Sequence, residues 1–132
     1  MTTPHIDEFI AYRIEKADEV FEAANLLYNA GQWNSAINRL YYACFYSASA
    51  LLLKRGIGAK SHNGVIAKFS ESVVRTGEMT AGEYRVYSKL LNWRTKGDYS
   101  DMFDFTAEDV ASVMAPTKVF INKVKQLIPI RG

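Results

Sequence analysis

The stretch from Trp33 to Leu53 constrains the fold most. It contains no Gly or Pro, no polar cluster to break it, and almost no charge after Arg39. Ala36, Ala43, Ser47 and Ala50 recur at steps of seven, four and three residues, so they share one helical face where small side chains let another backbone come close. Tyr42, Phe45, Tyr46, Ser49 and Leu52 recur on a neighbouring face, and Leu40, Cys44 and Leu51 fill more of the circumference. A helix apolar on so many sides is buried on most of them. The rest of the chain is expected to pack round it.

Helix signals flank this stretch on both sides. Thr3 and Pro4 suit the start of a first helix that runs to Ala30, with Gly31 ending it. Its apolar stripe comprises Ile6, Phe9, Ile10, Ile14, Ala17, Val20, Phe21, Ala24, Leu27 and Tyr28, with Arg13 on the same side. The second helix spans Gln32 to Arg55, and Gly56 and Gly58 make the segment to Ser61 a loop with basic ends. A third helix starts at Ser61 or His62 and runs to Arg75, where Gly77 stops it. Thr80 and Glu83 have the spacing of a capping box, which opens a fourth helix to Arg94 or Lys96. Lys96 to Phe105 reads as an irregular connection. Thr106 to Asp109 caps a last helix, in which Pro116 is expected to cause a kink or a split near Ala115. No strand-like alternation and no internal repeat compete with this reading. The fold class is all-α: an up-down four-helix-type bundle with an additional short helix, forming a single domain over residues 1–132.

Charge and composition exclude more than they assign. Sixteen Lys and Arg against fourteen Asp and Glu leave a net charge of +2, so any nucleic-acid site must come from local clustering. The apolar run Tyr41 to Leu53 is broken by serines and falls short of the roughly 20 residues of a membrane span. No basic-then-apolar leader opens the chain, so a cytoplasmic location and no membrane contact are expected. The lone Cys44 excludes an internal disulfide framework and reads as a buried filler. His5 and His62 lack ligand-spaced neighbours, and the spacing of Asp98, Asp101 and Asp104 does not fit a calcium loop, so no metal is expected.

The informative polar cluster is Asn92 to Tyr99. Arg94 continues the stripe of Tyr84, Tyr87 and Leu91, so it is either half-buried with a partner or aimed into a groove. Two readings stand side by side: an Arg94–Asp98 ion pair at helical spacing, or a guanidinium that clamps a phosphate with Tyr99 beside it. Arg39 stands next to Tyr41 and Tyr42, either as a surface residue whose stem covers apolar area or as a second basic group in the same groove. Lys60 and His62 lie at the start of the third helix, where free amides suit an anion, although a histidine there also fits as a surface residue. Arg55 and His62 form an Arg-x6-His pair that straddles a glycine loop.

Three motifs, Ala36-Ile-Asn-Arg39-Leu-Tyr41-Tyr42-Ala43, Lys60-Ser-His62-Asn-Gly64-Val-Ile and Arg94-Thr-Lys-Gly-Asp98-Tyr99, resemble the HEPN domain family in that order, over residues of about 10 to 125. The closer likeness is to the short stand-alone prokaryotic branch encoded beside a minimal nucleotidyltransferase. The resemblance implies four main helices plus a short one, a homodimer, and no cofactor. In active members an Arg followed after four to six residues by a His forms a metal-independent RNase site across the dimer interface. There the His acts as base on the ribose 2′-hydroxyl and the Arg steadies the phosphate. By resemblance Arg94 takes the Arg role, while Tyr99, preceded by Asp98, stands at the His position. A tyrosine with an ordinary pKa of about 10 is a poor base near neutrality. His62 substitutes only if the fold brings it to Arg94.

In related two-gene modules the HEPN protein is a toxin that the nucleotidyltransferase neutralises, in some by attaching AMP to a Tyr near the site. Tyr99 is the residue that this implies here. The resemblance therefore leaves two functions: an RNA-binding, RNA-cutting subunit of a toxin–antitoxin-type pair with catalytic Arg94, Asp98 and Tyr99 and binding Arg39, Lys60 and His62, or a non-catalytic module that presents nucleotide to its partner. The family's likeness to the helical substrate-binding part of nucleotidyltransferases gives the second reading, and the missing His after Arg94 favours it.

Overall fold

A computed structural model describes the backbone of residues 4–99 and 104–128 and the side chains of 5–96 and 104–128. It is an all-α bundle of α1 (Pro4–Asn29), α2 (Trp33–Lys54), α3 (His62–Phe69), α4 (Ala81–Tyr99) and α5 (Ala107–Leu127). A π-helical turn, Ser70–Val74, extends α3. No strand occurs among the described residues, and no helix among them is long and apolar enough to cross a membrane.

The apolar spacing in α2 explains its place. Ala36, Ala43, Ser47 and Ala50 are fully buried, and α2 packs against each of α1, α3, α4 and α5, most extensively against α1. Burying the Ser47 hydroxyl leaves no polar atom unpaired, because it donates to the carbonyls of Ala43 at 2.9 Å and Cys44 at 3.0 Å within its own helix. Ile10, Ile14, Ala17, Phe21 and Ala24 supply the facing stripe of α1. Phe9, expected in that stripe, is 58% exposed: it lies one residue, about 100° of helix, ahead of Ile10.

Two glycines set the path of the chain around the site. Gly31 and Gly56 both adopt positive φ, at 74° and 71°. At each, the following amide bonds back to the last turn of the helix: Gln32 N to Leu27 O at 2.8 Å, and Ile57 N to Leu52 O at 2.9 Å. A side chain at such φ is strained, so glycine ends the helix and reverses the chain there. The second reversal returns the chain along α2 and brings α3 beside it. Arg55 fixes this corner. Its guanidinium holds both carboxylate oxygens of Glu78, at 2.8 and 2.5 Å, and Thr76 donates to the same carboxylate at 3.0 Å. The Arg55–His62 pairing considered from sequence is therefore replaced by an Arg55–Glu78 ion pair.

Both capping boxes form. Thr80 and Glu83 exchange amide bonds at 3.0 and 2.9 Å, and Thr106 and Asp109 exchange theirs at 3.1 and 3.0 Å. Three expectations change. The third helix is α-helical only to Phe69 and then widens into the π turn, closed by Arg75 N to Ser70 O at 3.0 Å. The fourth helix does not stop at Lys96; it continues through Gly97 and Asp98 to Tyr99, so residues 96–99, expected in an irregular connection, are helical. The last helix is not split at Pro116, one of the two outcomes expected there; it continues as one element to Leu127. Proline lacks the amide that would bond the Ser112 carbonyl, but both residues lie on the exposed face, where a free carbonyl costs little.

Candidate functional site

Residues from three helices meet at the Tyr41–Tyr42 pair of α2. These adjacent rings pack edge to face, with centroids 5.1 Å apart. Tyr41 is fully buried and Tyr42 half-buried. From α4, the Arg94 guanidinium lies 5.1 Å from the Tyr41 ring and 5.5 Å from the Tyr42 ring, and Nη2 reaches the Tyr42 hydroxyl at 3.4 Å. From α3, His62 stacks on Phe45 with centroids 4.5 Å apart and lies 5.6 and 5.7 Å from Tyr41 and Tyr42. The Tyr41 hydroxyl is 2.5 Å from Nδ1 of His62. Arg39, one turn before Tyr42 on the same helix face, places its guanidinium 5.5 Å from the Tyr42 ring and donates to Asn38 Oδ1 at 2.7 Å.

The local sequence explains why these groups converge. Ser61 caps α3 by accepting from the amide of Gly64 at 2.9 Å, which makes His62 the first helical residue. A Cβ on Gly64 would come within 3.0 Å of that capping oxygen. Glycine at this position keeps the cap tight, and the cap places the imidazole against Phe45. On α4, Arg94 follows Leu90 and Tyr87 at helical steps, so its stem runs along the buried side and its head reaches α2.

Burial and charge set the protonation of the cluster. Desolvation pushes the Tyr41 phenol far above its ordinary value, against the pull of the Arg94 charge, so the hydroxyl stays protonated. Burial, and then the positive charge of Arg94, lowers the pKa of His62 below its ordinary 6.5. The imidazole is therefore neutral at pH 7. Nearby, burial raises the Cys44 thiol far above the thiolate range, which makes it the inert filler expected.

Of the residues singled out from sequence, Arg94, His62 and Arg39 come together around Tyr41 and Tyr42. His62 is not a plain surface residue: the fold brings it and Arg94 to the same two rings. Lys60 is exposed, in the loop just before α3. The helix register puts Asp98 one turn after Arg94 and Tyr99 next to it at the end of α4, and the side chains of both lie outside the described residues. Asp101 lies outside them as well. Asp104 accepts from Asn34 Nδ2 at 3.4 Å, and Asn34 Oδ1 takes the Phe105 amide at 2.8 Å, so this acid helps tie the start of α5 to α2. Sequence reasoning missed Tyr41 and Phe45 as site residues. The signal was a pair of tyrosines two residues after the lone arginine of a helix otherwise uncharged until its last residue, Lys54.

A helical bundle with a cationic, aromatic cluster between its second, third and fourth helices is the class defined here. The HEPN domain family model matches residues 10–127, and the chain belongs to that family. A Thermotoga maritima protein named "UPF0332 protein" is 34% identical over 122 residues, covering 92% of each chain. Two Methanocaldococcus jannaschii proteins named "Putative toxin" are also similar. One is 31% identical over 115 residues, covering 87% of this chain and 78% of its own. The other is 34% identical over 123 residues, covering 93% and 91%. The fold matches the crystal structure of TT1696 from Thermus thermophilus with a TM-score of 0.77, over 96% of this chain and 100% of that one; at 14% identity this likeness is one of fold alone.

Proposed function

We propose that this chain is the HEPN subunit of a toxin–antitoxin-type pair, working in the cytoplasm as a homodimer beside a minimal nucleotidyltransferase. In this reading it binds RNA or nucleotide phosphate at the cluster around Tyr41 and Tyr42. The observation that carries the reading is the convergence of Arg94 and His62, from different helices, on these two rings. A guanidinium beside a neutral imidazole offers a phosphate both charge and directed donors, and the half-buried Tyr42 ring offers a face to a base. Arg39 and Lys60 add charge at the rim. Relatives named "Putative toxin" support the pairing with a neutralising partner. Asp98 and Tyr99, at the end of the helix that carries Arg94, flank this cluster in the proposal, with Tyr99 as the acceptor of AMP.

The test is incubation of the purified protein with a labelled oligouridylate in EDTA, for the native chain and Arg94→Ala. Binding that falls by about tenfold or more in the variant supports the site, since hydrogen bonds to charged groups are worth about that much. Unchanged binding overturns it. A second reading, metal-independent cleavage, draws on the neutral imidazole held near Arg94. It requires that the native chain cut the RNA and that both Arg94→Ala and His62→Gln abolish cutting.

A further inference from the structure

We infer that Tyr41 is a positioning residue that fixes His62 in its Nε2–H tautomer, so that the imidazole meets a phosphate oxygen as a hydrogen-bond donor and not as a base. This rests on the phosphate-binding reading of the site and deepens it.

A phenol carries one O–H, and a neutral imidazole has one donor and one acceptor nitrogen. The Tyr41 hydroxyl and His62 Nδ1 are 2.5 Å apart, so one of them donates. If Nδ1–H donated, the Tyr41 hydrogen would need another acceptor in a fully buried position. The groups around that hydroxyl do not provide one. Arg94, over the Tyr41 ring, is a cation with no acceptor. The Tyr87 hydroxyl, whose ring is 6.1 Å away, makes no hydrogen bond among the described residues. The arrangement that leaves nothing unsatisfied has Tyr41 donating to Nδ1, which puts the imidazole proton on Nε2. A charged imidazolium is disfavoured on the same grounds, since it would turn Nδ1 into a donor and add a second cation next to Arg94. Among the described residues, the titratable and charged groups packed against His62 are Tyr41 and Tyr42 from α2 and Arg94 from α4, and burial and the Arg94 charge both favour the neutral ring.

The functional consequence follows from the lone pairs. The basic nitrogen of His62 is occupied by Tyr41. Taking a proton from a ribose 2′-hydroxyl would require that contact to break first. The Nε2–H remains as a donor beside the Arg94 charge, which is the chemistry of anion binding. Tyr41 thus selects between the two roles that a histidine could play here.

Nitrogen-15 NMR of the full-length native protein, using long-range correlations to the imidazole ring protons, reads the tautomer directly. His62→Gln identifies which of the two histidines gives each pattern. The expected pattern for His62 near pH 7 is a protonated Nε2 and an unprotonated Nδ1. In Tyr41→Phe the preference should relax, with the Nδ1–H population relative to Nε2–H rising about fivefold, the change expected for one lost hydrogen bond. A native His62 with its proton on Nδ1 overturns the inference, and so does a Tyr41→Phe spectrum unchanged at His62. The tautomer is read on the free protein. Failure of oligouridylate to bind therefore overturns the functional reading alone, while an Nδ1–H pattern overturns this inference alone.

Discussion

Two aromatic clusters meet where Tyr41 and Tyr87 approach, and they treat a buried hydroxyl in opposite ways. Phe69 of α3, Tyr87 of α4 and Phe120 of α5 form the inner cluster, with Phe69–Phe120 centroids 5.4 Å apart and Tyr87–Phe120 centroids 5.5 Å apart. All three residues are fully buried, and the Tyr87 hydroxyl has no hydrogen-bond partner among the described residues. The outer cluster, Tyr41, Tyr42, Phe45, His62 and Arg94, uses the same ring chemistry but gives its tyrosine hydroxyls polar partners. The inner cluster holds the helices together through shape and apolar area. The outer one spends part of its packing on a cation and an imidazole that an apolar core would not accept. A bundle stabilised only by apolar packing has no need of such groups, which is the ground on which we propose them for binding.

The largest expected effect breaks the inner cluster alone. Phe120→Ala should destabilise the protein by about 3–5 kcal/mol in chemical denaturation, as large aromatic-to-alanine changes in cores do. A loss below about 1 kcal/mol, outside that range, would mean that the inner cluster is not the main support of α5. Arg94→Ala should have the reverse profile, with oligouridylate affinity falling by about tenfold or more and stability changing much less than in Phe120→Ala. Equal damage to stability by both would erase the distinction between the clusters.

A finer contrast comes from removing one oxygen from each tyrosine. Tyr87→Phe takes away an unsatisfied buried hydroxyl and should leave stability unchanged or raise it, by up to about 1 kcal/mol. Tyr41→Phe removes a satisfied one and should lower stability by about 1 kcal/mol. Denaturation curves of the two variants give the sign. A destabilised Tyr87→Phe would show that its hydroxyl has a partner in solution.

The smallest effect is pH-dependent. The folded pKa of His62 lies below its unfolded value of 6.5, so between the two the unfolded chain binds the extra proton. Stability from this group is present in full above 6.5 and is lost as the pH falls through the folded pKa. His62→Gln should flatten the stability profile in that window. Glu78 acts in the same direction at lower pH. Its carboxyl is held below its ordinary 4.5 by the hydrogen bond from Arg55, so acid through that range should loosen the α2 corner, and Glu78→Gln should remove that component.

Much of the fold was legible because it rests on short-range signals. The two capping boxes, the glycine ends of α1 and α2, and the apolar face of α2 each lie within a few residues of one another. The π turn after Phe69, the passage of α4 through Gly97 and the unbroken path of α5 through Pro116 were not legible, since residue propensities weight a helix end without fixing it, and an exposed proline costs a helix less than a buried one. The site divides along the same line. Arg94 and Arg39 stand out as charges on apolar stripes, which spacing alone reveals. The meeting of His62 with Tyr41 depends on how the Gly56 reversal and the Ser61 cap return α3 to α2. No pattern in the sequence specifies that approach, so His62 read more readily as a surface residue. Asp98 and Tyr99 stood out by their spacing from Arg94 and by the motif, and their side chains lie outside the described residues.

The central claim is that Arg94 holds a phosphate in the cluster around Tyr41 and Tyr42. The direct test is a salt titration of oligouridylate binding in EDTA for the native chain and Arg94→Ala. Binding should weaken linearly in log affinity against log salt, with a slope shallower by about 0.7 in the variant, as for one lost phosphate contact on a single strand. Identical slopes and affinities in the two proteins would contradict it.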